Sequence, residues 1–409
     1  MKTFLIVNTL LYQAIHQFAG PRDHGTTAPG NESRPGDLPA NVVVSLNTSN
    51  RTKSALARQG YTCARCFAVL PSLTSPRWLF PLENGRSALV GLEIYKPYAR
   101  TGRILKGLLT TMVTARCQGL ALHRVLVASR ATLPLEDFVR EVTGECQPEF
   151  ALSLSTEKRF QKLTVQAMRP DGEILGYIKL PLTQAAVDRI RHEAETLKRL
   201  WSFAPLRTHI PQVLYSGEWG HSHILFQSAG PPQPGPTQLN SQSYEFLQLL
   251  WGIGAAQKPG HVLWEEVAAR WCKADPSLES SWQALGQAAL ERAKRELHDV
   301  MIPCGVSHGD FAPWNTRVGD HGLYVFDWES ASWETPTLWD VFHFKTQAGA
   351  LLDKRNDLHI SRDPRSGERA SFVLYLLSSA CQLFGEESPT QVVGLECRRQ
   401  LLAKQLGGY

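Results

Sequence analysis

No apolar run in this 409-residue chain approaches the roughly 20 residues that a bilayer-spanning helix needs, which argues against a transmembrane segment. Positive charge is in only slight excess, at a net +5; that suits small anionic ligands but lacks the basic stripe of a nucleic-acid binder. Of the 8 cysteines only Cys63 and Cys66 form a CxxC, and no second CxxC or HxxxH lies near enough to complete a structural zinc site. These are expected to be reduced thiols. A convincing secretory leader is also missing. Lys2 is followed by Phe4-Leu5-Ile6-Val7, but the apolar stretch fades by Tyr12 with no small-residue cleavage site, so it reads as a short helix or an ill-defined start, and a cytoplasmic location is expected. Gly20 to Pro39 has almost no large apolar side chain and cannot bury a core; residues 1–40 read as a flexible N-terminal segment.

What is present is an ordinary globular composition, 43% hydrophobic and 20% charged, long enough for two or three domains. In 41–148 the pattern predicts strands at Val42–Leu46, Trp78–Leu82, Ala88–Tyr95 and Arg124–Ala128, and helices at Arg103–Val113 and Leu135–Val142. This is a small α/β accessory region with no chemical signature. In 149–230, strands are expected at Phe150–Ser155, Leu163–Met168, Leu175–Lys179, Gln212–Tyr215 and His223–Gln227. A helix at Ala186–Trp201 presents Ile190, Ala194, Leu197 and Leu200 on one face. A Pro/Gly hinge at Ala229–Pro236 leads into 231–409, where helices are expected at Ser243–Ala256, Trp264–Cys272, Leu278–Val300 and Ser371–Phe384. Tryptophans 201, 251, 264, 271 and 282 fall on helices and read as core, and Arg398-Arg399 reads as a solvated helix face.

The chemistry concentrates in Ser307-His308-Gly309-Asp310-Phe311-Ala312-Pro313-Trp314-Asn315, followed by Leu323-Tyr324-Val325-Phe326-Asp327-Trp328-Glu329. Phosphoryl transfer needs an aligned hydroxyl and neutralised phosphate charge. Asp310 supplies a carboxylate to accept the hydroxyl proton. Asn315 and Asp327 supply hard oxygens suited to Mg²⁺. Two strands and a turn at Gly319–Gly322 separate these two, so a hairpin would bring them to the same end.

This segment resembles the catalytic and metal-binding motifs of the aminoglycoside phosphotransferase and choline kinase superfamily, and the resemblance extends over about 150–384. It implies an α+β, two-lobed protein-kinase-like fold with a strand-rich N-lobe and a helical C-lobe. It also implies ATP and Mg²⁺ as cofactors and a small-molecule hydroxyl as acceptor, with Asp310 as catalytic base and Asn315 and Asp327 on magnesium. His308 would support the catalytic loop and Asp340, in Trp339-Asp340-Val341-Phe342, would brace it. Lys179 resembles the strand lysine that holds the nucleotide phosphates, and Glu193 the helix glutamate that pairs with it, with Glu195 as the other candidate. Ile224 to Ala229 resembles the strand-to-hinge segment that holds adenine, which marks Gln227 and Ala229, though a plain core strand fits the same residues. The phosphate loop departs from the pattern. Ser153 to Lys162 contains no glycine, leaving the hydroxyls of Ser155 and Thr156 and the charges of Lys158, Arg159 and Lys162 to meet phosphate. That departure keeps open a second reading, a nucleotide-binding pseudokinase used as a scaffold. Only 340 − 327 = 13 residues separate Asp327 from Asp340, too few for a peptide-docking segment, which points to a small acceptor.

Overall fold

The structure, a computed structural model, describes residues 15, 41–97, 100–115, 123–155, 157–220, 222–274, 280–353, 367–384 and 389–407. The expected flexible segment 1–40 therefore lies outside the described residues except for Ile15, as does Thr156. The chain divides into two compact units, one of residues 1–194 with 212–229, the other of 195–211 with 230–409.

In the first unit the elements run β1 (Val42–Ser45), α1 (Asn50–Arg58), β2 (Cys63–Pro71), β3 (Pro76–Pro81), α2 (Gly85–Leu92), α3 (Arg100–Thr114), β4 (His123–Ser129), α4 (Pro134–Thr143), β5 (Glu149–Leu154), β6 (Lys162–Met168) and β7 (Ile174–Pro181). Helix α5 (Gln184–Trp201), β8 (Val213–Trp219) and β9 (Ser222–Gln227) follow. All nine strands form one sheet in the order β1-β4-β2-β3-β5-β6-β7-β9-β8, antiparallel at each pairing. The boundary expected at 148/149 does not separate two units. Strand β3 pairs with β5, with Trp78 opposite Ser153 and Leu79 opposite Leu152, and one apolar core runs from Phe67 through Phe150 to Phe226. The alternation of the accessory strands buries its apolar face only by adding to the sheet that follows.

A second correction concerns Ala88–Tyr95, expected as a strand and found largely within helix α2. Short apolar runs fit either period. Here Asn84 decides: its side chain accepts the Arg86 N–H as an N-cap, and Ser87, Ala88, Gly91 and Leu92 then bury one helical face. Strand β2 and helix α1 carry no expectation from the sequence and are further additions.

The second unit contains β10 (Gln233–Pro234), α6 (Ser241–Trp251), β11 (Ala256–Pro259), α7 (Gly260–Lys273), α8 (Ser280–Glu296), β12 (Met301–Ser307), β13 (Thr316–Gly319), β14 (Gly322–Val325) and β15 (Ser332–Pro336). These are followed by α9 (Trp339–Ala348), α10 (Glu368–Cys381) and α11 (Pro389–Leu406). It is less purely helical than expected, since two three-stranded sheets, β10-β13-β14 and β11-β12-β15, frame its loops. The helix expected over Ser243–Ala256 stops at Trp251. Gly252 caps it, Gly254 at φ +64° turns the chain, and Ala256–Pro259 becomes strand β11. Residues 195–211 belong to this unit because the His209 carbonyl accepts the Val325 N–H and the His209 ring bonds the Leu323 carbonyl, both on β14.

The core of this unit is made by α7, α8, α10 and α11, where Trp271, Trp282 and Phe384 meet edge to face or tilted at 5.3–6.3 Å. Arg398 is a correction. Far from lying on a solvated face it is 1% exposed, its Nε donating to Ser379 Oγ at 2.8 Å and Nη1 to the Gly394 carbonyl at 2.9 Å. Arg399, its neighbour, stays at the surface and pairs with Glu396.

Gly286, on α8, has no space for a side chain, because a Cβ there would overlap the rigid indole of Trp271. Alanine would gain about 1 kcal/mol of helix propensity over glycine, but overpacking a filled core costs about 1–3 kcal/mol. Gly286→Ala is expected to lower the melting temperature by a few degrees, measured by thermal denaturation followed by circular dichroism; an equal or higher melting temperature refutes the packing argument.

Candidate active site

The expected site residues fall into two groups, one in each unit. In the first unit, Lys179 lies on β7, flanked by Thr164 of β6 and Leu225 of β9. Its ammonium reaches both carboxylate oxygens of Glu193 on α5, at 2.6 Å each. The pair is almost wholly buried, with side-chain exposures of 5% and 0%. Helical geometry explains the choice of acid. Glu193 shares the buried face with Ile190, Leu197 and Leu200, whereas Glu195 points outward and is exposed. Removing two charges from water carries a desolvation penalty that their attraction only offsets when the geometry is good, so such a pair is weak evidence of a stability device.

The glycine-free loop is closed by reciprocal bonds between Ser155 and Lys162. The Ser155 N–H donates to the Lys162 carbonyl at 3.0 Å, and the Lys162 N–H donates to Ser155 Oγ at 2.9 Å. Ser155 therefore spends an acceptor lone pair on its own hairpin and keeps its hydroxyl proton as a donor. Gln227 ends β9 with its side chain 3% exposed, and its Oε1 finds no hydrogen-bond partner among the described residues. Two residues on, Ala229 is half-buried.

In the second unit the loop between β12 and β13 carries Asp310. Its backbone is gripped by the carboxylate of Asp340 at the start of α9. Oδ1 accepts from Ser307 Oγ at 2.9 Å and from the Gly309 N–H at 3.0 Å, and Oδ2 accepts from the His308 N–H at 2.8 Å. Asp340 is 1% exposed, so three donors satisfy a charge that burial alone would make very costly. The chain then turns sharply at Gly309, φ +78°, where a Cβ would overlap the Ser330 carbonyl; only glycine fits.

His308 is fully buried. The Asp310 N–H donates to its Nδ1 at 3.2 Å, so Nε2 is the protonated nitrogen that donates to the Phe326 carbonyl at 3.0 Å. Burial pushes its pKa below the usual histidine range, and the nearby carboxylates of Asp340 and Asp310 offset this only partly. The ring packs 4.6 Å from that of Trp328, and Trp328 Nε1 donates to the Val325 carbonyl. His308 thus ties the loop to the end of β14.

Asp310 receives two donors. Asn315 Nδ2 donates to its Oδ2 at 2.8 Å and to its main-chain carbonyl at 2.9 Å, and His343 Nε2 meets Oδ1 at 2.8 Å. Because both Asn315 bonds use the amide NH₂, its Oδ1 faces away from Asp310 and is the atom available to a cation. Asp327 lies two residues past the end of β14 and is the one non-glycine residue with positive φ, +70°, among the described residues. The Phe326 N–H bonds the Asn315 carbonyl at 3.1 Å, so the hairpin does bring Asn315 and Asp327 to one end.

Three residues beyond those expected join this group. Oxygens of Asp327 and Glu329 lie within 4.8 Å of each other. His343 contacts Asp310, and the hydroxyl of Tyr375 on α10 meets His343 Nδ1 at 3.2 Å. Burial holds the Tyr375 phenol above its ordinary pKa. A signal for His343 was present in the sequence. It sits three residues after Asp340, on the same helical face. A cavity of about 410 Å³ opens beside the loop, lined by Gly309, His343, Tyr375, Trp339, Arg270 and Glu334 among others.

No family model and no curated protein matches this sequence. Among solved structures, the chain is similar to the GDP complex of an aminoglycoside 2'-phosphotransferase-IIIa F108L mutant, with a TM-score of 0.43 and 12% identity over 67% of this chain and 97% of that one. It is also similar to a thermostable mutant of aminoglycoside phosphotransferase APH(4)-Ia in ternary complex with ADP and hygromycin B, with a TM-score of 0.42 and 16% identity over 66% and 97%. A third similar structure is choline kinase LicA from Streptococcus pneumoniae, with a TM-score of 0.40 and 13% identity over 67% and 98%.

The neutral, buried His308 makes stability depend on pH. Its folded pKa is lowered, so below about 6.5 the unfolded chain binds a proton that the folded chain excludes. Stability contributed by this site is therefore full near pH 7 and declines on acidification through that window, by at most about 1.4 kcal/mol per pH unit. Urea denaturation between pH 7 and 5.5 should show this slope in the wild type and a shallower one in His308→Asn. Equal slopes would count against a buried neutral imidazole.

Proposed function

We propose that the chain is a Mg²⁺-dependent phosphotransferase with a protein-kinase-like fold, moving the γ-phosphoryl group of ATP to a hydroxyl of a small molecule. The observation that carries this reading is the Asp310 carboxylate, presented on a glycine turn and pinned by two side-chain donors, with Asn315 and Asp327 delivered beside it by one hairpin. Positioning and charge neutralisation are most of what phosphoryl transfer asks of a protein.

In this reading Asp310 accepts the hydroxyl proton and aims the oxygen. Lys179, held extended by Glu193, meets the nucleotide phosphates, with Ser155 and Lys162 of the first hairpin as further donors. The segment Gln227 to Ala229 receives the adenine, and the unpartnered Gln227 Oε1 is an acceptor suited to a base amino group. His308 and Asp340 hold the loop. The donor set fits magnesium. Asn315 Oδ1, the Asp327 carboxylate and the adjoining Glu329 carboxylate are hard oxygens, and two carboxylates this close favour a shared divalent cation. When bound, Mg²⁺ would supply neutralisation of phosphate charge.

The acceptor class is a sugar, an amino sugar, an amino alcohol or a glycan precursor. The cavity supports a small acceptor. It lies within the size range of small-molecule sites and includes Gly309, the residue before Asp310, and His343, whose Nε2 meets the Asp310 carboxylate. The short segment after Asp327 argues the same way, because Ser332–Pro336 is already engaged as β15 against β12 and leaves no length for a peptide platform. A second reading, nucleotide binding without transfer, draws on the self-closed, glycine-free hairpin at Ser155–Lys162.

Two variants test the assignment. Asp310→Ala should lower kcat for Mg²⁺-ATP turnover by about 10²–10⁴-fold while leaving ATP affinity nearly unchanged. Turnover by the wild type that survives this change would remove Asp310 from the chemistry. Asp327→Asn should abolish Mg²⁺-dependent turnover with the circular dichroism spectrum intact; an unaltered metal titration would remove Asp327 from the metal site.

A further inference from the structure

We propose that His343 is a positioning residue for the Asp310 carboxylate, and that Tyr375 steadies the His343 ring from its other nitrogen; this rests on the reading of Asp310 as the proton acceptor. A carboxylate on a short side chain turns easily about its last torsion, where the energy wells are broad. Here each of its oxygens is held by one donor, Oδ2 by Asn315 Nδ2 and Oδ1 by His343 Nε2, both at 2.8 Å. Asn315 belongs to the same loop as Asp310 and moves with it. His343 stands on α9 and supplies a reference outside the loop.

That helix is the one that already fixes the loop backbone. Asp340 grips the main chain of residues 308 and 309, and His343, one turn later on the same face, grips the side chain of residue 310. Backbone and carboxylate are thereby set by a single rigid element. The direction of approach also matters. The His343 side chain is 10% exposed and that of Asp310 is 36% exposed, so the imidazole holds the carboxylate from the buried side and leaves its open side to an acceptor.

The tautomer follows from the partners. An ionised carboxylate only accepts, so Nε2 must carry the hydrogen. On a neutral ring Nδ1 is then an acceptor, and the Tyr375 hydroxyl at 3.2 Å is its donor. Tyr375 is 3% exposed and burial keeps its phenol protonated, which sustains that donation. His343 and Tyr375 also both line the cavity beside the loop.

The test uses the full-length protein, Mg²⁺-ATP and water as the acceptor. His343→Gln preserves a donor and should keep kcat for ATP hydrolysis within about tenfold, whereas His343→Leu should lower it by up to about 10²-fold, the scale of a misplaced catalytic group. The affinity for ATP, read by fluorescence titration, should be unchanged in both. Tyr375→Phe should lower kcat less than His343→Leu, and the double variant should be no slower than His343→Leu alone, since both changes act through one contact. Equal loss in the Gln and Leu variants, or a double variant that multiplies the two effects, overturns the inference. Hydrolysis insensitive to Asp310→Ala overturns instead the reading beneath it. ¹⁵N NMR of the wild-type imidazole decides the contact in either case: an Nε2–H tautomer supports it, and an Nδ1–H tautomer or a mixture overturns it.

Discussion

Asp340 contributes one carboxylate and three hydrogen bonds, and the geometry of the second unit's loop depends on it. Asp340 holds the N–H groups of residues 308 and 309, the chain turns with positive φ at Gly309 directly after them, and Asp310 follows that turn. The grip is strong because the acceptor is ionised and nearly unexposed, which shortens and strengthens each bond. It is also unforgiving. Loss of the carboxylate would strand the buried His308 N–H and take a partner from the Gly309 N–H and the Ser307 hydroxyl, and a buried group left unsatisfied costs about 1–3 kcal/mol.

The charges around this grip are kept from cancelling one another. His308 lies among Asp340, Asp310 and Asp327, an environment that favours imidazolium, yet burial wins and its pKa moves down. A neutral ring can accept the Asp310 N–H and donate to Phe326 at the same time; an imidazolium could not do both. The neutral His308 ring therefore adds no positive charge beside these carboxylates. In the first unit a charge pair forms instead: the Lys179 ammonium meets both carboxylate oxygens of Glu193 in a dry setting.

Legibility in the sequence followed the range of the interactions involved. Asp310, Asn315 and Asp327 could be singled out from residue type and spacing within one short segment, and the structure brings them to one end of a loop and hairpin. Glu193 was separable from Glu195 by helical phase alone, and the buried face confirms that phase. His343, Tyr375 and Glu329 were not picked out. Tyr375 reaches the site across 32 residues of chain, a distance over which periodicity carries no information. The boundary at 148/149 failed for a related reason. Composition shifts mark where chemistry begins, but β3 and β5 pair across that shift, and strand pairing leaves no local trace. Ala88–Tyr95 failed on a run too short to distinguish two periods until the Asn84 cap is considered.

The conformation of Asp327 closes the physical account. A non-glycine residue at φ +70° costs about 1–3 kcal/mol and persists only where its surroundings over-determine it. Those surroundings are visible on both sides. Before it, the Phe326 N–H is fixed to Asn315 and the Phe326 carbonyl to His308. After it, Trp328 is fully buried, packs on His308 and donates back to Val325. Burying such an indole stabilises by an amount comparable to or larger than the strain. The residues flanking Asp327 are therefore both anchored. The left-handed turn directs the Asp327 side chain differently from the alternation of strand β14, and it does so through contacts to the same histidine that orders the Asp310 loop. Strain at Asp327 and order at Asp310 are two consequences of one packed unit, His308 with Trp328.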